Sequence, residues 1–594
     1  MSVDDDLAKA LQFHEAGDLL GAGTLYREIL AIEPDHVDAL NLLGVVMHAA
    51  GDLELAVDLI TRAVDLAPDY AAPLINLGNA LQAAGRAEDA VRRFEDALAL
   101  EPDAGIAACN LASALNDLGR HAAAAEAAVR AVEMAPILPD AHVNLGNALL
   151  ALGRTGDAEA AYTTALELAP RHAGAWFNLG NAHADNGNFA GAVEPYRKAA
   201  EFDPNNAACH YNLGNALQQL DIYDAAIDSF DQAIALQPNH VDARCNLASA
   251  WQSLGRADRA IEILKEALGR EALAGDDESV DLHWNLSLAL LQNGDMRAGW
   301  REYEWRWQTP SFAEFRRQFA VPEWDGGDLA GRTIFVHAEQ GFGDALQFVR
   351  YVPLVAARRG RVILECRPEL RRLFETVEGV DACVDLGAAI EGFDVHVPLM
   401  SLPRLFETEI TNVPATLPYL SVPPDVSLDG RVRDDQSFKV GVVWSGSPTR
   451  PDNHKRSCPL AAWGAILEVP GVQFYSLQVG ADSDQMTAQG VTADIVDLAA
   501  DFGDFADTAE AVDALDLVIS VDTSVLHLAG ALGKPAFALL SQPTGFLWMN
   551  DRPDSPWYPT LRLFRQAAPG VWEQPLAKAA EALAEMVAGQ GARG

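Results

Sequence analysis

The chain has 594 residues, of which 49% are hydrophobic, and a formal net charge of -42 at pH 7. This length allows more than one domain, and the acidic balance argues against nucleic acid or an anionic membrane surface as a partner, since both bind clustered Lys and Arg. The six cysteines form no Cys-x-x-Cys pair, so neither a zinc site nor a disulfide framework is expected. The acidic start and the absence of an apolar run of about 20 residues predict no signal peptide, no membrane span and a reduced, cytoplasmic location.

The first half of the chain repeats with a period of 34 residues. Small residues recur at Ala22, Ala56, Ala90, Ala124, Ala158, Ala192, Ala226 and Ala260. Prolines recur at Pro34, Pro68, Pro102, Pro136, Pro170, Pro204 and Pro238. Turn residues recur at Gly17, Gly51, Gly85, Gly119, Gly153, Gly187, Asp221 and Gly255. The pattern predicts helix, tight turn, helix and proline stop, with apolar or aromatic residues such as Tyr26, Phe94, Tyr162, Tyr196 and Phe230 filling the space between repeats.

Asparagines follow the same 34-residue step within the first helix of each repeat. One row consists of Asn76, Asn110, Asn144, Asn178, Asn212 and Asn246, and a second row of Asn79, Asn147, Asn181 and Asn215. An amide both donates and accepts hydrogen bonds, so a ladder of amides could bind an extended peptide backbone. The same amides could instead bond a neighbouring repeat and set the stacking. Both interpretations stay open for the first row.

After about residue 310 the period is lost and apolar runs alternate with helical stretches. The runs predict buried parallel strands at Thr333–His337, Arg361–Glu365, Lys439–Trp444, Val472–Leu477, Leu515–Val521 and Pro535–Leu540. Val413–Asp435 is rich in proline and is interpreted as a linker. The second half is therefore expected to form two Rossmann-like lobes with a cleft between them.

Two strand-to-helix turns are candidates for chemistry. In the first, the strand from Thr333 runs into Gly341-Phe-Gly343 and Asp344, where backbone amides and a helix start would face the cleft, although Asp344 could be only a helix cap. In the second, a strand ends at Asp522-Thr-Ser524, and His527 follows one turn later. Hydroxyls and free amides there would receive a phosphate group, and His527 could donate to it; the alternative is that His527 is a satisfied helix histidine.

These motifs resemble two known families. Residues 3 to about 308 resemble tetratricopeptide repeats, and their asparagine spacing is similar to that of the O-linked N-acetylglucosamine transferases, whose ladder binds polypeptides. The second half resembles the heptosyltransferase-like GT-B glycosyltransferases in the segments 339–344, 393–403, 441–448 with Arg456, and 522–527. A repeat array fused to such a domain resembles the alphaproteobacterial glycosyltransferases that modify flagellin.

The resemblance implies an α-solenoid over residues 1–308, a first GT-B lobe on the acceptor side over 309–425 and a nucleotide-sugar lobe over 426–594. It implies that Asp344 is the catalytic base. The donor would be bound by Gln340, Gly341, Gly343, Ser445, Gly446, Arg456, Gln478, Asp522, Thr523, Ser524 and His527. The acceptor protein would be bound by Asn76, Asn110, Asn144, Asn178, Asn212 and Asn246.

The implied activity is transfer of a sugar from a nucleotide donor to Ser or Thr of a protein acceptor, with flagellin the leading candidate. The relatives suggest a CMP-linked pseudaminic or related nonulosonic acid as donor, and neither a cofactor nor a metal is implied. Asp482-Ser-Asp484 is interpreted as a polar loop. Where relatives carry an arginine, this chain has Leu547, which puts the donor or one phosphate contact in question. Two alternatives are a saccharide-acting enzyme of the heptosyltransferase type and a non-catalytic adaptor with a decayed GT-B domain.

Overall fold

The first half of the chain consists of consecutive helical pairs in the computed structural model. The structure describes residues 3–274, 279–313, 315–427, 431–432, 435–450, 453–488, 495–550 and 552–591. By internal contacts the chain divides into two units, Met1–Pro238 and Asn239–Gly594. The first unit contains α1 (Val3–Glu15), α2 (Leu19–Ile32), α3 (Val37–Ala49), α4 (Leu53–Leu66), α5 (Ala71–Ala83), α6 (Ala87–Leu100), α7 (Gly105–Asp117), α8 (His121–Met134), α9 (Pro139–Ala151), α10 (Thr155–Leu168), α11 (Ala173–Asp185), α12 (Phe189–Phe202), α13 (Ala207–Gln219) and α14 (Tyr223–Leu236).

The turns inside the repeats follow the predicted pattern. All seven glycines of the turn series have a positive φ, between 69° and 83°, and Asp221 adopts the same region with a φ of 59°. An L-residue with a side chain rarely enters this region, whereas glycine does so without steric cost, which explains the glycine at this register. Aspartate is one of the few side chains that tolerate it.

Small and aromatic residues at fixed registers bring the two helices of each repeat together. The eight alanines spaced by 34 residues are all fully buried, as are Tyr26, Phe94, Tyr162 and Phe230. The first helix of several repeats carries a glycine under the ring of the second helix. A Cβ added to Gly214 would lie 2.6 Å from Cε1 of Phe230. The helices can therefore approach to this distance only with glycine at that position.

Replacing Gly214 with alanine is expected to destabilise the first unit by about 1–3 kcal/mol, because the added methyl group overpacks the contact with Phe230. The matched control is Gly156→Ala, since Gly156 also lies in a helix but has no atom within 4 Å of an added Cβ. Because alanine has the higher helix propensity, Gly156→Ala is expected to be neutral or stabilising by up to about 1 kcal/mol. Thermal unfolding followed by circular dichroism checks both variants, and equal melting temperatures would contradict this account of the packing.

The second unit begins with the last helical pairs. These are α15 (Val241–Ser253), α16 (Ala257–Ala274), α17 (Val280–Gln292) and α18 (Met296–Glu302), followed by a 3₁₀ helix at Tyr303–Gln308 and by α19 (Pro310–Ala313). With α1–α14 these give eighteen helices from Val3 to Glu302 in the described residues, about sixteen of which form the repeat solenoid. Trp300 and Tyr303 share one hydrophobic core with Leu346 and Phe348 of the following α/β region. The boundary predicted at residue 308 therefore lies beyond residues that already pack inside the first lobe.

A four-stranded parallel sheet forms the first lobe. Its strands are β1 (Thr333–His337), β2 (Arg361–Cys366), β3 (Ala382–Asp385) and β4 (Val395–Pro398), in the order β3-β2-β1-β4. Its helices are α20 (Phe342–Phe348), α21 (Val352–Ala356), α22 (Arg371–Phe374) and α23 (Leu402–Leu405). The strand order reverses at β1, so the loop after β1 opens at a topological switch point, where α/β folds bind ligands.

A six-stranded parallel sheet forms the second lobe. Its strands are β5 (Phe438–Val443), β6 (Val472–Ser476), β7 (Ile495–Asp497), β8 (Leu517–Val521), β9 (Ala536–Leu540) and β10 (Leu561–Arg565), in the order β10-β9-β8-β5-β6-β7. Its helices are α24 (Asn453–Arg456), α25 (Gly464–Leu467), α26 (Gln485–Ala488), α27 (Phe505–Asp513), α28 (Ser524–Ala531) and α29 (Glu573–Gly591). The order reverses between β5 and β8, so the loops that follow these two strands border this lobe's switch point.

The α-solenoid followed by an α/β region with parallel sheets confirms the predicted fold class. All six predicted strands are present, with ends shifted by at most two residues, whereas β3, β4, β7 and β10 are shorter or less apolar and were not predicted. The described part of Val413–Asp435 contains neither helix nor strand. Across the described residues, no helix has both the length and the apolar character needed to cross a bilayer.

Candidate functional site

Asp344 lies at the third position of α20, directly after the loop that leaves β1. The N-cap residue is Gly341, and the Asp344 carboxylate accepts a hydrogen bond from the Gly341 N–H. A carboxylate that reaches back from the third position to the N-cap is a common way to satisfy a helix start. Asp344 therefore does take part in capping, as one of the two interpretations of the sequence held, and it is also half-buried beside the second lobe.

The environment of Asp344 favours its protonated form more than water does. Burial raises the pKa of Asp344 from 3.8 to about 6, against the opposing effects of Arg450 and the Gly341 N–H. The carboxylates of Asp522 and Glu339 raise it further. A carboxyl group with a pKa close to the working pH is suited to accept a proton during a reaction, because it is largely ionised yet still basic.

His527 lies on α28 in the second lobe, bonded to Tyr558 and close to Asp522. Its Nδ1 is 3.0 Å from the hydroxyl of Tyr558, and its Nε2 is 3.9 Å from Oδ1 of Asp522. Its ring is stacked on Trp548 with the centroids 5.4 Å apart. Burial lowers the pKa of His527 to about 4, with Asp522 opposing the shift and Arg350 and Arg456 adding to it. The imidazole is therefore neutral near pH 7 and would act toward a ligand as a neutral hydrogen-bonding group.

The two candidate turns meet across the lobes. A Cβ added to Gly343 would lie 3.0 Å from Cδ2 of His527, so a side chain at this position would push the turns apart. Phe342, next to it, packs on Phe505 of the second lobe with ring centroids 5.0 Å apart. Gly343 of the first turn thus lies beside His527 of the second, and the Asp522 carboxylate acts on the pKa of Asp344.

The predicted phosphate-binding turn has the expected backbone. β8 ends at Val521, Thr523 is the N-cap residue, and α28 begins at Ser524. The Thr523 side chain makes no capping bond and instead lies 2.9 Å from the hydroxyl of Ser520. The amides of a helix start of this kind are available to an anion in front of it.

Arg456 contacts this turn directly. Its Nη2 lies 2.7 Å from Oδ2 of Asp522 and donates to the carbonyl oxygen of the same residue at 2.6 Å. In this structure its guanidinium thus neutralises Asp522 and fixes the turn. The predicted role of Arg456 toward a nucleotide phosphate requires it to serve a ligand in addition to Asp522.

Ser445 and Gly446 form the loop that follows β5, and several hydrogen bonds hold this loop. The hydroxyl of Ser445 bonds Oδ2 of Asp482 at 2.6 Å and lies 3.0 Å from the hydroxyl of Ser457, which also accepts from the Gly446 N–H. Gln478 accepts from the backbone N–H groups of Trp444 and Ser445 at 3.2 and 2.9 Å. The side-chain oxygen of Gln478 is therefore committed to holding the loop, a role that differs from the predicted donor contact.

A cleft of about 420 Å³ opens beside this loop. It is lined by Trp444, Ser445, Pro448, Arg450, Asn453, His454, Ser457, Pro459, Asp482 and Gln485. Arg450 both lines the cleft and acts electrostatically on Asp344, so it connects the second lobe's loop to the candidate base. Sequence reasoning missed Arg450. The available signal was a basic residue in the Ser-Gly-Ser-Pro-Thr-Arg loop that leaves a buried strand.

The amides of the first asparagine row bond to the preceding repeat. Their Nδ2 atoms donate from Asn76 to Asn41, from Asn110 to Asn79, from Asn144 to the Cys109 carbonyl, from Asn178 to Asn147 and from Asn212 to Asn181, at 2.8–3.0 Å. Asn246 lies in the second unit and is half-buried. The row therefore has the stacking role that was one of its two interpretations. These side chains are all half-buried, so their exposed atoms can still face a polypeptide.

Comparison with known proteins places the first half in a recognised repeat class. Models described as tetratricopeptide repeat match residues 13–73, 75–139, 143–207, 207–240 and 241–277. Protein FlbA of Caulobacter vibrioides is 27% identical over 331 residues, which are 50% of this chain and 54% of FlbA. The chain therefore spans about half the length of this curated relative.

Several solved structures resemble part of the chain. The Cut9–Hcn1 heterotetramer of the APC/C is 22% identical, with 46% of this chain and 52% of that chain covered and a TM-score of 0.37. YrrB, a tetratricopeptide repeat protein with an unusual peptide-binding site, is 26% identical, with 31% of this chain and 95% of that chain covered and a TM-score of 0.26. MamA is 21% identical, with 29% and 95% covered and a TM-score of 0.28.

The N-terminal half of the chain is a tetratricopeptide repeat array. The region that follows it carries two parallel sheets and is consistent with a fused glycosyltransferase-like domain. The chain is thus a repeat protein with distant homology to FlbA.

Proposed function

We propose that this chain is a protein O-glycosyltransferase that moves a sugar from a nucleotide donor to Ser or Thr of a protein held by the repeats. The observation that carries the proposal is the meeting of Asp344, with its pKa raised to about 6, and the Asp522–His527 turn across the two lobes. This arrangement puts a base on the acceptor side opposite a helix start that suits a phosphate. The similarity to FlbA supports a flagellum-related role, and flagellin is the proposed acceptor.

The proposed reaction uses this chain's own groups at each position. The Asp344 carboxylate takes the proton of the acceptor hydroxyl, and the hydroxyl oxygen forms a bond to the anomeric carbon of the sugar. The bond from that carbon to the nucleotide phosphate breaks, and its electron pair leaves with the phosphate. The α28 start and Arg450 stabilise the charge that develops there. No metal is needed in this scheme, and the proposed donor is a cytidine-linked nonulosonic acid.

The acceptor is proposed to lie along the repeats of the first unit, where the asparagine rows recur. We place the reaction in the cytoplasm, where nucleotide sugars are the donors for protein acceptors and where thiols stay reduced. The six cysteines of the chain are all buried and free in the structure, which agrees with such a compartment.

Intact-mass spectrometry of flagellin from cells with and without this gene tests the proposal. The expected result is a mass increase by one or more nonulosonic acid residues only when the gene is present. The purified chain with CMP-linked donor and unmodified flagellin should reproduce the same increase. Unmodified flagellin in both experiments would overturn the proposed activity.

Arg456→Ala and His527→Ala are each expected to weaken nucleotide binding by about 1.5–3 kcal/mol. For Arg456 the loss includes the turn itself, since the variant leaves Asp522 without its ion pair. Isothermal calorimetry with the nucleotide measures both. Arg552→Ala is a matched control, because Arg552 pairs with Asp554 at 2.8 Å in the same lobe but touches neither candidate turn. Unchanged affinity in both test variants would remove the phosphate assignment.

A further inference from the structure

The junction segment, Tyr303–Gln308, follows the last repeat helix and is built into the first lobe. Arg306 within it is fully buried. Its guanidinium makes two bonds to Glu339, from Nε to Oε2 at 2.8 Å and from Nη2 to Oε1 at 3.1 Å. A paired arrangement of this kind fixes both distance and orientation, because the planar guanidinium matches the carboxylate.

Further bonds complete the surroundings of this ion pair. Glu339 also accepts from the Met400 N–H at 3.0 Å, and Arg306 donates to the hydroxyl of Ser401 at 3.0 Å. Ser401 in turn donates to Glu304 at 3.1 Å. Burial works against the charged form, yet the Glu339 and Glu304 carboxylates hold the pKa of Arg306 above its ordinary value. Glu339 is therefore immobilised by the junction segment and by the loop after β4.

Tyr303 holds the next residue of the same loop. Its hydroxyl accepts from Nε2 of Gln340 at 2.8 Å. The Tyr303 ring is itself fixed, with Trp300 at 5.2 Å and Phe546 at 6.0 Å between ring centroids. The side-chain amide of Gln340 therefore bonds to the junction segment, which differs from its predicted role in donor binding.

Glu339 and Gln340 are the two residues immediately before Gly341, the N-cap of the helix that carries Asp344. Two successive side chains of this loop are thus bound by residues that come from the end of the repeat array. The loop is short and its other end enters α20, so displacing residues 339–340 would displace Asp344. A misplacement of about 1 Å at a reacting group can cost about 100-fold in rate.

We propose that Tyr303 and Arg306 are positioning residues, which hold the loop at 339–341 so that Asp344 stands opposite the Asp522–His527 turn. The inference rests on the proposed function for its effect on transfer, and on the described contacts for its structural part. It assigns the end of the repeat array a role in building the active site in addition to acceptor binding.

Tyr303→Phe is the first test, made in the full chain. It removes one hydroxyl and keeps the ring in its aromatic contacts. We expect kcat to fall about tenfold while KM for the donor changes less than about twofold, since the base is misplaced but the second lobe is untouched. Tyr351→Phe is the control: Tyr351 is equally buried in the same lobe and bonds Thr408 at 2.7 Å, away from the loop. Its kcat should stay at the wild-type value.

Hydrogen exchange measured by mass spectrometry tests the structural part without any substrate. Peptides that cover residues 339–345 should exchange faster in Tyr303→Phe than in the wild type, and at the wild-type rate in Tyr351→Phe. If Tyr303→Phe shows this faster exchange but the wild type transfers no sugar, the proposed function fails and the positioning contacts stand. Unchanged exchange and unchanged kcat in Tyr303→Phe would overturn the inference even if the wild type is active.

Arg306 is tested together with Glu339, because a buried Glu339 without its partner would unfold the lobe. The double variant Arg306→Met with Glu339→Gln removes both charges and keeps a side-chain oxygen for the Met400 N–H. We expect a melting temperature near that of the wild type, faster exchange at 339–345 and a lower kcat. A variant that folds and keeps both wild-type exchange and wild-type kcat would show that the pair only stabilises the lobe.

Discussion

Asp344→Asn is expected to lower kcat of sugar transfer by about two to four orders of magnitude while leaving the fold and both binding steps intact. An amide of the same shape can still accept a bond from the Gly341 N–H, but it cannot take a proton from the acceptor hydroxyl. Because burial penalises the charged form of Asp344, removing its charge does not destabilise the lobe. Circular dichroism, nucleotide calorimetry and an acceptor pull-down serve as controls for the transfer assay.

The pH dependence gives an independent check on the same residue. A general base works in its deprotonated form, so activity should rise as pH increases through the pKa of Asp344, which lies at about 6. His527 titrates at about 4 and therefore contributes no change in this range. The acidic limb of log kcat/KM should have a midpoint near 6 in the wild type. Transfer by Asp344→Asn at the wild-type rate, with the same limb, would exclude Asp344 as the base.

Cutting the chain between Pro238 and Asn239 is expected to separate acceptor binding from nucleotide binding. Residues 1–238 contain five of the six asparagines of the first row, and residues 239–594 contain every candidate donor residue. The first fragment should retain the acceptor in a pull-down and bind no nucleotide. The second should bind nucleotide in calorimetry and modify full-length acceptor at less than about 1% of the intact chain's rate, since it lacks most of the extended surface that holds a polypeptide.

The place of the cut matters to this experiment. A cut near residue 310 would remove Trp300, Tyr303 and Arg306 from the core of the first lobe, where all three are buried. A fragment that starts at residue 310 is therefore expected to be insoluble and serves as a contrast to the fragment that starts at Asn239. Acceptor capture by residues 239–594 with none by residues 1–238 would contradict a docking role for the first unit.

Much of the fold was predictable because its signals are local. A 34-residue step in glycine, alanine and proline defines helices and turns within a single repeat, and buried parallel strands such as Thr333–His337 are continuous apolar runs. Strands β3 and β7 escaped prediction because four or three residues give no usable period. The two candidate turns were predictable because each consists of a strand, then glycine or hydroxyl residues, then a helix. These residue types are required at such a turn.

The partners of individual side chains were not predictable from these patterns. The residue types predict a phosphate contact for Arg456 and a donor contact for Gln478; in the structure Arg456 also pairs with Asp522, and the Gln478 side-chain oxygen accepts from the Ser445 loop. The asparagine row left two interpretations open, and the amide donors prove to bond across repeats. A polar side chain carries the same local pattern whether it faces a ligand or a neighbouring segment, so only the packed chain distinguishes the two.

The sequence by itself determined the repeat array, the α/β class of the second half and the two turns, because each depends on residues that are close in the chain. The tertiary structure alone decided that Gly343 meets His527, that Arg450 acts electrostatically on Asp344 and that Arg306 reaches Glu339. The two residues of each pair are between 33 and 184 positions apart in the sequence, although they interact in the structure. What joins them is the folding of β1 and β8 to the switch points of their sheets, a long-range packing that no local period encodes.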